Sequence, residues 1–271
     1  MSFEQDDTYI LGRNFTSSTR LNLSHFLWKQ VLGFNIHPRI STNGSLEVAD
    51  IATGTAIWPL DVASELSTSK VDSFDLSLSQ CPPREFFPAI RRLDTWNIFD
   101  APDESMLGRY DIVHVRLVIF VVRNNDPRDI VRNLLALLKP GGWLQWDELD
   151  LSGSHLERGN GNDVAAPAAE NALKRIQSIS VNHWTSNLAS ILEEEGMEKA
   201  DRNVYIIPPP WAKIFSDMHL MMEDEMSMPS HEAKSAKIRE IAAICEESRK
   251  GAIISTPLSV TVAQKPSTGS A

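Results

Sequence analysis

Cysteine and basic residues are scarce in this chain of 271 residues. Cys81 and Cys245 stand far apart without CxxC spacing, which excludes a disulfide framework and a cysteine zinc site. The 26 lysines and arginines are outnumbered by 36 aspartates and glutamates, so the net charge is −10. Because neutralising a phosphate backbone needs clustered positive charge, this balance argues against a nucleic-acid partner.

Long apolar runs are also missing. No run of about 18 apolar residues is present that could cross a bilayer, and residues 1–8 are polar and acidic, unlike a secretory signal. We therefore expect a cytoplasmic protein without a membrane partner. The 42% hydrophobic and 23% charged content is typical of a globular chain, and this length fits one large domain.

Apolar periodicity predicts strands that alternate with helices. The predicted strands are short apolar runs at residues 46–51, 70–76, 89–93, 110–116, 143–147, 204–207 and 258–263. The predicted helices have apolar residues at helical spacing and cover residues 22–34, 57–66, 129–138, 168–179, 184–195 and an insertion at 211–250. The KPGG sequence at 139–142 is interpreted as a helix stop. This alternation predicts a mostly parallel sheet with helices on both faces.

Acidic residues end three successive predicted strands: Asp50, Asp75 and Asp94. In a doubly wound sheet, ligands bind beyond the carboxyl ends of the strands. Small residues such as Ala52 and Gly54 let the backbone of the first turn approach a ligand, and glycine tolerates a positive φ. Asp75 can accept two hydrogen bonds from a ribose diol, and Asp94 is placed to meet an exocyclic amine. The pattern predicts a nucleoside site.

The turn after the first strand favours one nucleoside over others. A dinucleotide needs a glycine-rich turn for its pyrophosphate, whereas residues 52–56 read ATGTA and Asp50 adds negative charge. S-adenosylmethionine has a cationic sulfonium, an ammonium group and no phosphate. The carboxylates therefore favour S-adenosylmethionine over NAD.

Several of these stretches resemble class I S-adenosylmethionine-dependent methyltransferases. The resemblance lies in residues 49–60 (ADIATGTAIWPL), 71–80 (VDSFDLSLSQ), 94–96 (DTW) and 139–148 (KPGGWLQWDE). Residues 9–40, with YILGRNF and RLNLSHFLW, are similar more narrowly to methyltransferases encoded in fungal secondary-metabolite clusters. The resemblance implies an α/β fold with a Rossmann-like, doubly wound, seven-stranded sheet. It also implies an N-terminal helical cap (1–45) and a methyltransferase domain (46–271) with lid insertions at about 152–182 and 208–250, all in a single structural unit.

The resemblance and the strand ends together predict the site. The predicted cofactor-binding residues for S-adenosylmethionine are Asp50, Ala52, Thr53, Gly54, Asp75, Leu76, Asp94, Thr95, Trp96 and Arg116. The predicted substrate-binding residues are Tyr9, Arg20, Trp28 and His155, although Trp28 is also a candidate core residue. His25 and His114 are candidate catalytic bases, because imidazole titrates near neutrality. The sequence departs from the family at Ala52 and Ala56, where glycine is usual, and at Asn97, where a second acid often follows the tryptophan.

Three functional interpretations remain open at this stage. The first is O- or N-methylation of a small-molecule natural-product intermediate. The second is reuse of the fold as a pericyclase, cyclase or dehydratase, because fold does not fix function. The third is a regulator with a methyltransferase-like domain, which the absence of a basic tract disfavours. A homodimer is also considered, since methionines at 218–228 suggest a lid or a dimer contact.

A metal site is not predicted. Asp147, Glu148 and Asp150 follow the fifth strand and have the oxygen ligands that a divalent ion prefers. A solvated strand end explains the same cluster, and we prefer that interpretation.

Overall fold

The computed structural model describes residues 10–87, 89–159 and 164–267. The helices of this part are α1 Phe15–Leu32, α2 Ile57–Glu65, α3 Arg128–Leu137, α4 Pro167–Ser180, α5 Trp184–Glu194, α6 Pro209–Glu225 and α7 His231–Arg249. The strands are β1 Glu47–Ile51, β2 Lys70–Asp75, β3 Ile90–Thr95, β4 Tyr110–Arg116, β5 Leu138–Leu149, β6 His155–Arg158, β7 Glu198–Tyr205, β8 Ala252–Ser255 and β9 Leu258–Gln264. Among these helices, none has the length and apolar character needed to cross a membrane.

Seven strands form one sheet in the order β3-β2-β1-β4-β5-β9-β7. The first five are parallel, whereas β9 runs antiparallel to both β5 and β7. The predicted Rossmann-like, doubly wound sheet is therefore confirmed. Strand order reverses between β1 and β4, and in such sheets this switch point opens a crevice at the carboxyl ends of the strands.

Apolar side chains cover both faces of the central strands, as a buried parallel sheet requires. On one face, Val113 and Val115 of β4 belong to a core cluster with Leu134 of α3. On the other face, Ile112 packs in a second cluster with Trp58 of α2. His114, between Val113 and Val115 in the chain, is the polar exception in the middle of β4 and is buried.

Two parts of the strand prediction were wrong. The strand expected at residues 204–207 is β7, which begins at Glu198 and ends at Tyr205. This edge strand is half exposed and rich in charge, so it lacks the apolar run that marks a central strand. The pairing of β6 with β8 in a separate two-stranded sheet was missed, because residues 152–162 read as a polar loop.

Two helix predictions also need correction. The KPGG sequence does not cap α3: that helix ends at Leu137 and β5 begins at the next residue, so residues 139–142 lie in the strand. Helix α1 begins at Phe15, earlier than predicted, because the side chain of Asn14 accepts hydrogen bonds from the first free amides. Phe26 is one of the apolar residues at helical spacing that predict a helix at 22–34, yet it is 57% exposed.

The close packing of Gly142 in β5 gives a testable expectation. A Cβ at this position would lie 2.9 Å from the Tyr110 carbonyl oxygen and 3.0 Å from that of Lys139. Because backbone cannot move aside as a side chain can, we expect Gly142→Ala to lower the free energy of unfolding by about 1–3 kcal/mol. Urea unfolding followed by tryptophan fluorescence measures the change.

Gly159→Ala is the matched control for Gly142→Ala. A Cβ at Gly159 meets no atom of the described residues within 4 Å, so this variant should stay within about 0.5 kcal/mol of the wild type. Equal unfolding midpoints for the two variants would show that the Gly142 packing is not as described.

Candidate active site

A cavity of about 460 Å³ opens at the carboxyl edge of the sheet. Small-molecule sites usually measure about 300–1,000 Å³, so this one can hold a ligand of nucleoside size. Its described lining comes from the first half of the chain, at residues 13–24, 50–58, 75–80, 96–99 and 114–123. The cavity therefore lies at the switch point between β1 and β4.

The turn after β1 brings bare backbone to the cavity. Ala52, Gly54 and Ala56 all have left-handed φ values, of 58°, 59° and 60°. Alanine resists this conformation by roughly 1–2 kcal/mol, so the two alanines hold a backbone shape that glycine adopts freely. Thr53 fixes the turn by donating from Oγ1 to Asp50 Oδ2 at 2.5 Å. Leu21 of α1 lies 3.3 Å from the position of a Cβ on Gly54, so the cap helix closes over the turn.

Asp75, which the sequence predicts to bind the cofactor, lies at the end of β2 and lines the cavity. Its Oδ2 accepts a hydrogen bond from the Gly54 amide at 2.8 Å, and its Oδ1 accepts one from the Ser77 amide at 3.1 Å. Burial raises the pKa of Asp75, although these amides favour the charged form. A carboxylate has about four acceptor positions, so each oxygen can still accept a hydrogen bond from a ligand.

Trp96 lies beside Asp75 in the cavity wall. Its backbone amide donates to the Asp75 carbonyl oxygen at 2.8 Å. Its indole Nε1 is buried and has no hydrogen-bond partner among the described residues. Since buried polar groups are usually satisfied, this donor marks a place for a ligand acceptor.

Asp94 and Thr95 are not part of the cavity lining, contrary to the prediction. The Asp94 side chain is 51% exposed and forms an ion pair with Arg92. Side chains two residues apart in a strand share a face, which brings these two groups together. Asn97, noted in the sequence as a departure from the family, lines the cavity instead.

His114 lies between two buried carboxylates. Its Nδ1 is 2.6 Å from Asp50 Oδ1, its Nε2 is 3.1 Å from Asp147 Oδ2, and its ring stacks on Trp58 with centroids 3.7 Å apart. Carboxylates only accept, so both ring nitrogens carry protons. Burial opposes this charge, but the hydrogen bonds to Asp147 and Asp50 prevail and raise the pKa of His114. These two contacts leave neither nitrogen free, which argues against the predicted role of His114 as a base and indicates that the residue fixes Asp50.

Arg116 is a cation in the cavity wall, at the end of β4. Its Nη2 is 3.2 Å from His25 Nδ1, and its guanidinium carbon is 5.6 Å from the centre of the Trp28 ring. In the described ranges, no carboxylate forms an ion pair with it. Burial lowers the pKa of Arg116, while the charges of Asp147 and Asp50 act in the opposite direction.

His25 does not line the cavity. The residue is fully buried, and its Nε2 lies 3.1 Å from Asp61 Oδ2. Burial and the neighbouring Arg116 lower the pKa of His25 to about 4. Nδ1 lies against Arg116 and Nε2 against Asp61, so the contacts of His25 in this structure do not favour the predicted role as a catalytic base.

The described substrate candidates lie away from the cavity. Arg20 forms a buried two-point pair with Glu225 of α6, at 3.2 and 3.0 Å. Trp28 is fully buried, which agrees with the core interpretation. His155 is 2.9 Å from the Gly153 carbonyl oxygen and 3.0 Å from Glu157 Oε1, outside the cavity. Tyr9 lies outside the described residues.

The described residues of the predicted lid segments are not part of the cavity lining. No described residue of 152–182 or 208–250 lines it; α6 packs instead with α1 in a separate core cluster. Part of the cavity wall is instead the loop at 117–123, which begins with Leu117 in a left-handed conformation, φ 56°. Sequence reasoning missed this loop and Ser24, because apolar residues and a lone serine carry no chemical motif.

Glu148 holds the start of this loop. Its Oε1 accepts from the Val118 amide at 2.7 Å, whereas its buried Oε2 has no hydrogen-bond partner in the part of the chain described. Burial raises the pKa of Glu148 to about 8. Asp147 and Glu148 lie in β5 rather than after it, and only Asp150 follows the strand. Asp150 pairs with Arg202 at 2.9 Å, so the three carboxylates have separate roles. Among the described residues, no cluster is arranged to hold a metal ion.

Comparison with known proteins supports the family resemblance. No family model matches the chain. It is 34% identical over 155 residues to the methyltransferase grgD of Penicillium sp, which covers 54% of this chain and 54% of that protein. It is 32% identical over 179 residues to the N-methyltransferase tcpN of Claviceps purpurea, covering 65% of this chain and 60% of that one. The predicted resemblance to methyltransferases of fungal secondary-metabolite clusters is confirmed, over little more than half the length of these relatives.

One solved structure extends the comparison of the fold. The [4+2]-cyclase SpnF superposes with a TM-score of 0.51 and 15% identity, covering 92% of this chain and 95% of that one. At this identity the similarity concerns the fold alone.

The buried Glu148 gives a pH-dependent prediction. Its folded pKa of about 8 lies above the ordinary value of 4.5, so the folded state holds the proton more tightly than the unfolded state. The free energy of unfolding should therefore fall as the pH rises from about 4.5 to about 8 and lose this dependence above. Glu148→Gln cannot ionise, and its unfolding energy should fall less over the same range.

Urea unfolding at pH 5.5, 7 and 8.5 measures the free energy of unfolding of the wild type and of Glu148→Gln. The contributions of the other titrating groups cancel in the difference between the two proteins. Parallel pH profiles would contradict a neutral Glu148 in the folded state.

Proposed function

We propose that this cavity binds S-adenosylmethionine and that the protein transfers its methyl group to a small molecule. The observation that carries the proposal is the position of Asp75 in the cavity, facing a turn with three left-handed residues. Its carboxylate would accept hydrogen bonds from the ribose hydroxyls, while the bare backbone of the turn admits close contact. The unsatisfied Nε1 of Trp96, next to Asp75, suits an acceptor on the adenosine half.

Two opposite charges in the cavity lining suit the amino-acid half of this cofactor. Asp50 is a buried carboxylate and Arg116 a guanidinium without a carboxylate partner in the described ranges. Asp50 would attract the ammonium group, and Arg116 would bind the carboxylate through its fork of donors. Ser24 belongs to the same lining, and its buried hydroxyl has no hydrogen-bond partner among the described residues.

The cofactor, when bound, supplies a methyl group already activated by the positive sulfur. The residues of the chain then need chiefly to orient the acceptor, an effect that can contribute about 7–11 kcal/mol. His114 is the one histidine of the described lining, and both its nitrogens are engaged. We therefore propose an acceptor with an available lone pair, and nitrogen is favoured because tcpN is named an N-methyltransferase.

The loop at 117–123 would form the acceptor side of the cavity. Leu117, Val118 and Phe120 are apolar lining residues, and Val121 and Val122 extend the same surface. This surface suits an apolar natural-product intermediate better than a highly charged metabolite. The cytoplasmic location, the division at residue 45 and the homodimer stay predictions.

Cofactor binding distinguishes two aspartates that the sequence treats alike. We expect Asp75→Asn to weaken the affinity for S-adenosylhomocysteine by about tenfold or more, because charged acceptors contribute about 1.5–3 kcal/mol per hydrogen bond. Asp94→Asn should change it less than about twofold, since Asp94 lies outside the cavity. Isothermal titration calorimetry measures both values. Equal effects of the two substitutions, or an absence of binding by the wild type, would contradict the proposed pocket.

The reaction itself needs a separate assay. With methyl-labelled S-adenosylmethionine and a panel of apolar amines and phenols, we expect label in amine products. Mass spectrometry should show products heavier by one methyl group. If the cofactor binds but acceptors are returned as isomers or dehydrated products, the cyclase or dehydratase alternative replaces methyl transfer.

A further inference from the structure

Arg116 is held in the cavity wall by a neutral group rather than by an acid. Within the described residues, its guanidinium makes one hydrogen bond, to His25 Nδ1 at 3.2 Å. Guanidinium groups in protein interiors usually pair with carboxylates, which consume their charge. Here Asp50 and Asp147 are close enough to act electrostatically. Both carboxylates accept hydrogen bonds from His114, and Asp50 accepts a further one from Thr53 and Asp147 one from Gln145, but neither accepts one from Arg116 among the described residues.

The contact with Arg116 fixes the protonation of His25. A guanidinium has donors and no acceptor, so Nδ1 of His25 must be the unprotonated nitrogen. The remaining proton therefore lies on Nε2, which donates to Asp61 Oδ2 at 3.1 Å. Burial and Arg116 both keep this ring neutral at pH 7, in agreement with the low pKa of His25.

Asp61 is itself held in place on α2. Its Oδ2 accepts from Lys29 Nζ at 2.6 Å and from Asn35 Nδ2 at 3.0 Å. The ion pair between Lys29 of α1 and Asp61 of α2 keeps Asp61 ionised. Hydrogen bonds from Lys29, Asn35 and His25 lower the pKa of Asp61 in spite of its burial. The chain of contacts runs from the protein surface through α2 and α1 to the end of β4.

We propose that His25 and Asp61 are positioning residues that fix Arg116 for a ligand carboxylate without neutralising its charge. The proposal rests on the proposed function, because the carboxylate in question is that of S-adenosylmethionine. A direct Asp61–Arg116 pair would satisfy the guanidinium internally. The intervening neutral imidazole fixes its orientation and leaves its positive charge for the cavity.

Ser24 provides an independent observation at the same place. It precedes His25 in α1, lines the cavity and is 4% exposed, and its Oγ lacks a hydrogen-bond partner within the described ranges. A hydroxyl and a guanidinium that line one cavity are suited to the two oxygens of a carboxylate. Ser24 is therefore the second donor of the proposed subsite.

Two ligands separate this subsite from the rest of the pocket. S-adenosylhomocysteine carries the amino-acid carboxylate, whereas 5′-methylthioadenosine shares the adenosine and sulfur but lacks the amino acid. We expect His25→Leu to weaken S-adenosylhomocysteine binding by about tenfold, as for loss of a charge-assisted contact. The affinity for 5′-methylthioadenosine should change less than about twofold. Calorimetry on the full chain measures both.

Further variants distinguish positioning from general stability. His25→Asn keeps an oxygen acceptor near the Nδ1 position and should recover most of the lost affinity. In Asp61→Asn, the amide can donate to Nε2 of His25, and the imidazole proton would then lie on Nδ1, facing Arg116. This variant should therefore weaken the binding of S-adenosylhomocysteine but not that of 5′-methylthioadenosine. Arg20→Leu is the control, because it breaks a buried pair of α1 with α6 that does not touch Arg116.

The outcomes separate this proposal from the proposed function. If the wild type binds neither ligand, both fail. If it binds both, but His25→Leu weakens the two equally or changes neither, the positioning role is overturned while the cofactor site stands. The same conclusion follows if Arg20→Leu reproduces the selective loss. Circular dichroism confirms folding, and Asp61→Asn supplies the test should His25→Leu not fold.

Discussion

The charged imidazole of His114 joins three strands at the point where the cavity begins. It lies on β4 and bonds to Asp50 of β1 and Asp147 of β5. Isolated buried charges are strongly unfavourable, and removing one partner of a buried pair typically costs about 3–5 kcal/mol. The three groups therefore stabilise one another in a single arrangement, and Asp50 cannot turn away from the turn that follows β1. The geometry of that turn depends on this interaction.

The same requirement for paired charge organises helix α1. An amphipathic helix ordinarily buries an apolar stripe, yet the buried positions of α1 include Arg20, Ser24 and His25. Each meets a different neighbour: Arg20 binds Glu225 of α6, His25 connects Asp61 to Arg116, and Ser24 faces the cavity. Helix α1 thus links the sheet edge to α2 and α6, and its polar face forms part of the pocket.

The sequence alone could place residues at strand ends, but not the directions of their side chains. Asp50, Asp75, Trp96 and Arg116 line the cavity because parallel strands end at one edge, a rule that needs only strand boundaries. Asp94 obeys the same rule and yet pairs with Arg92, since strand alternation turns it to another face. The roles of His25 and His114 depend on partners 33 to 91 residues away, which no local pattern encodes. The predicted position of β7 was shifted along the chain, because an exposed edge strand lacks the apolar run by which strands are recognised in a sequence.

The loop after β4 is the part of the cavity that bears on which reaction takes place beside a bound cofactor. The fold is shared with a protein named as a cyclase, so the sheet and its turn cannot by themselves decide the chemistry. The loop starts at Leu117 in a strained conformation and is held by the bond from Val118 to Glu148. Backbone strain persists only where surrounding contacts enforce it. Glu148 secures an apolar wall of the cavity, and both nitrogens of His114, the one histidine in the described lining, are engaged. Together these contacts favour a site that orients an acceptor over one that activates it by proton transfer.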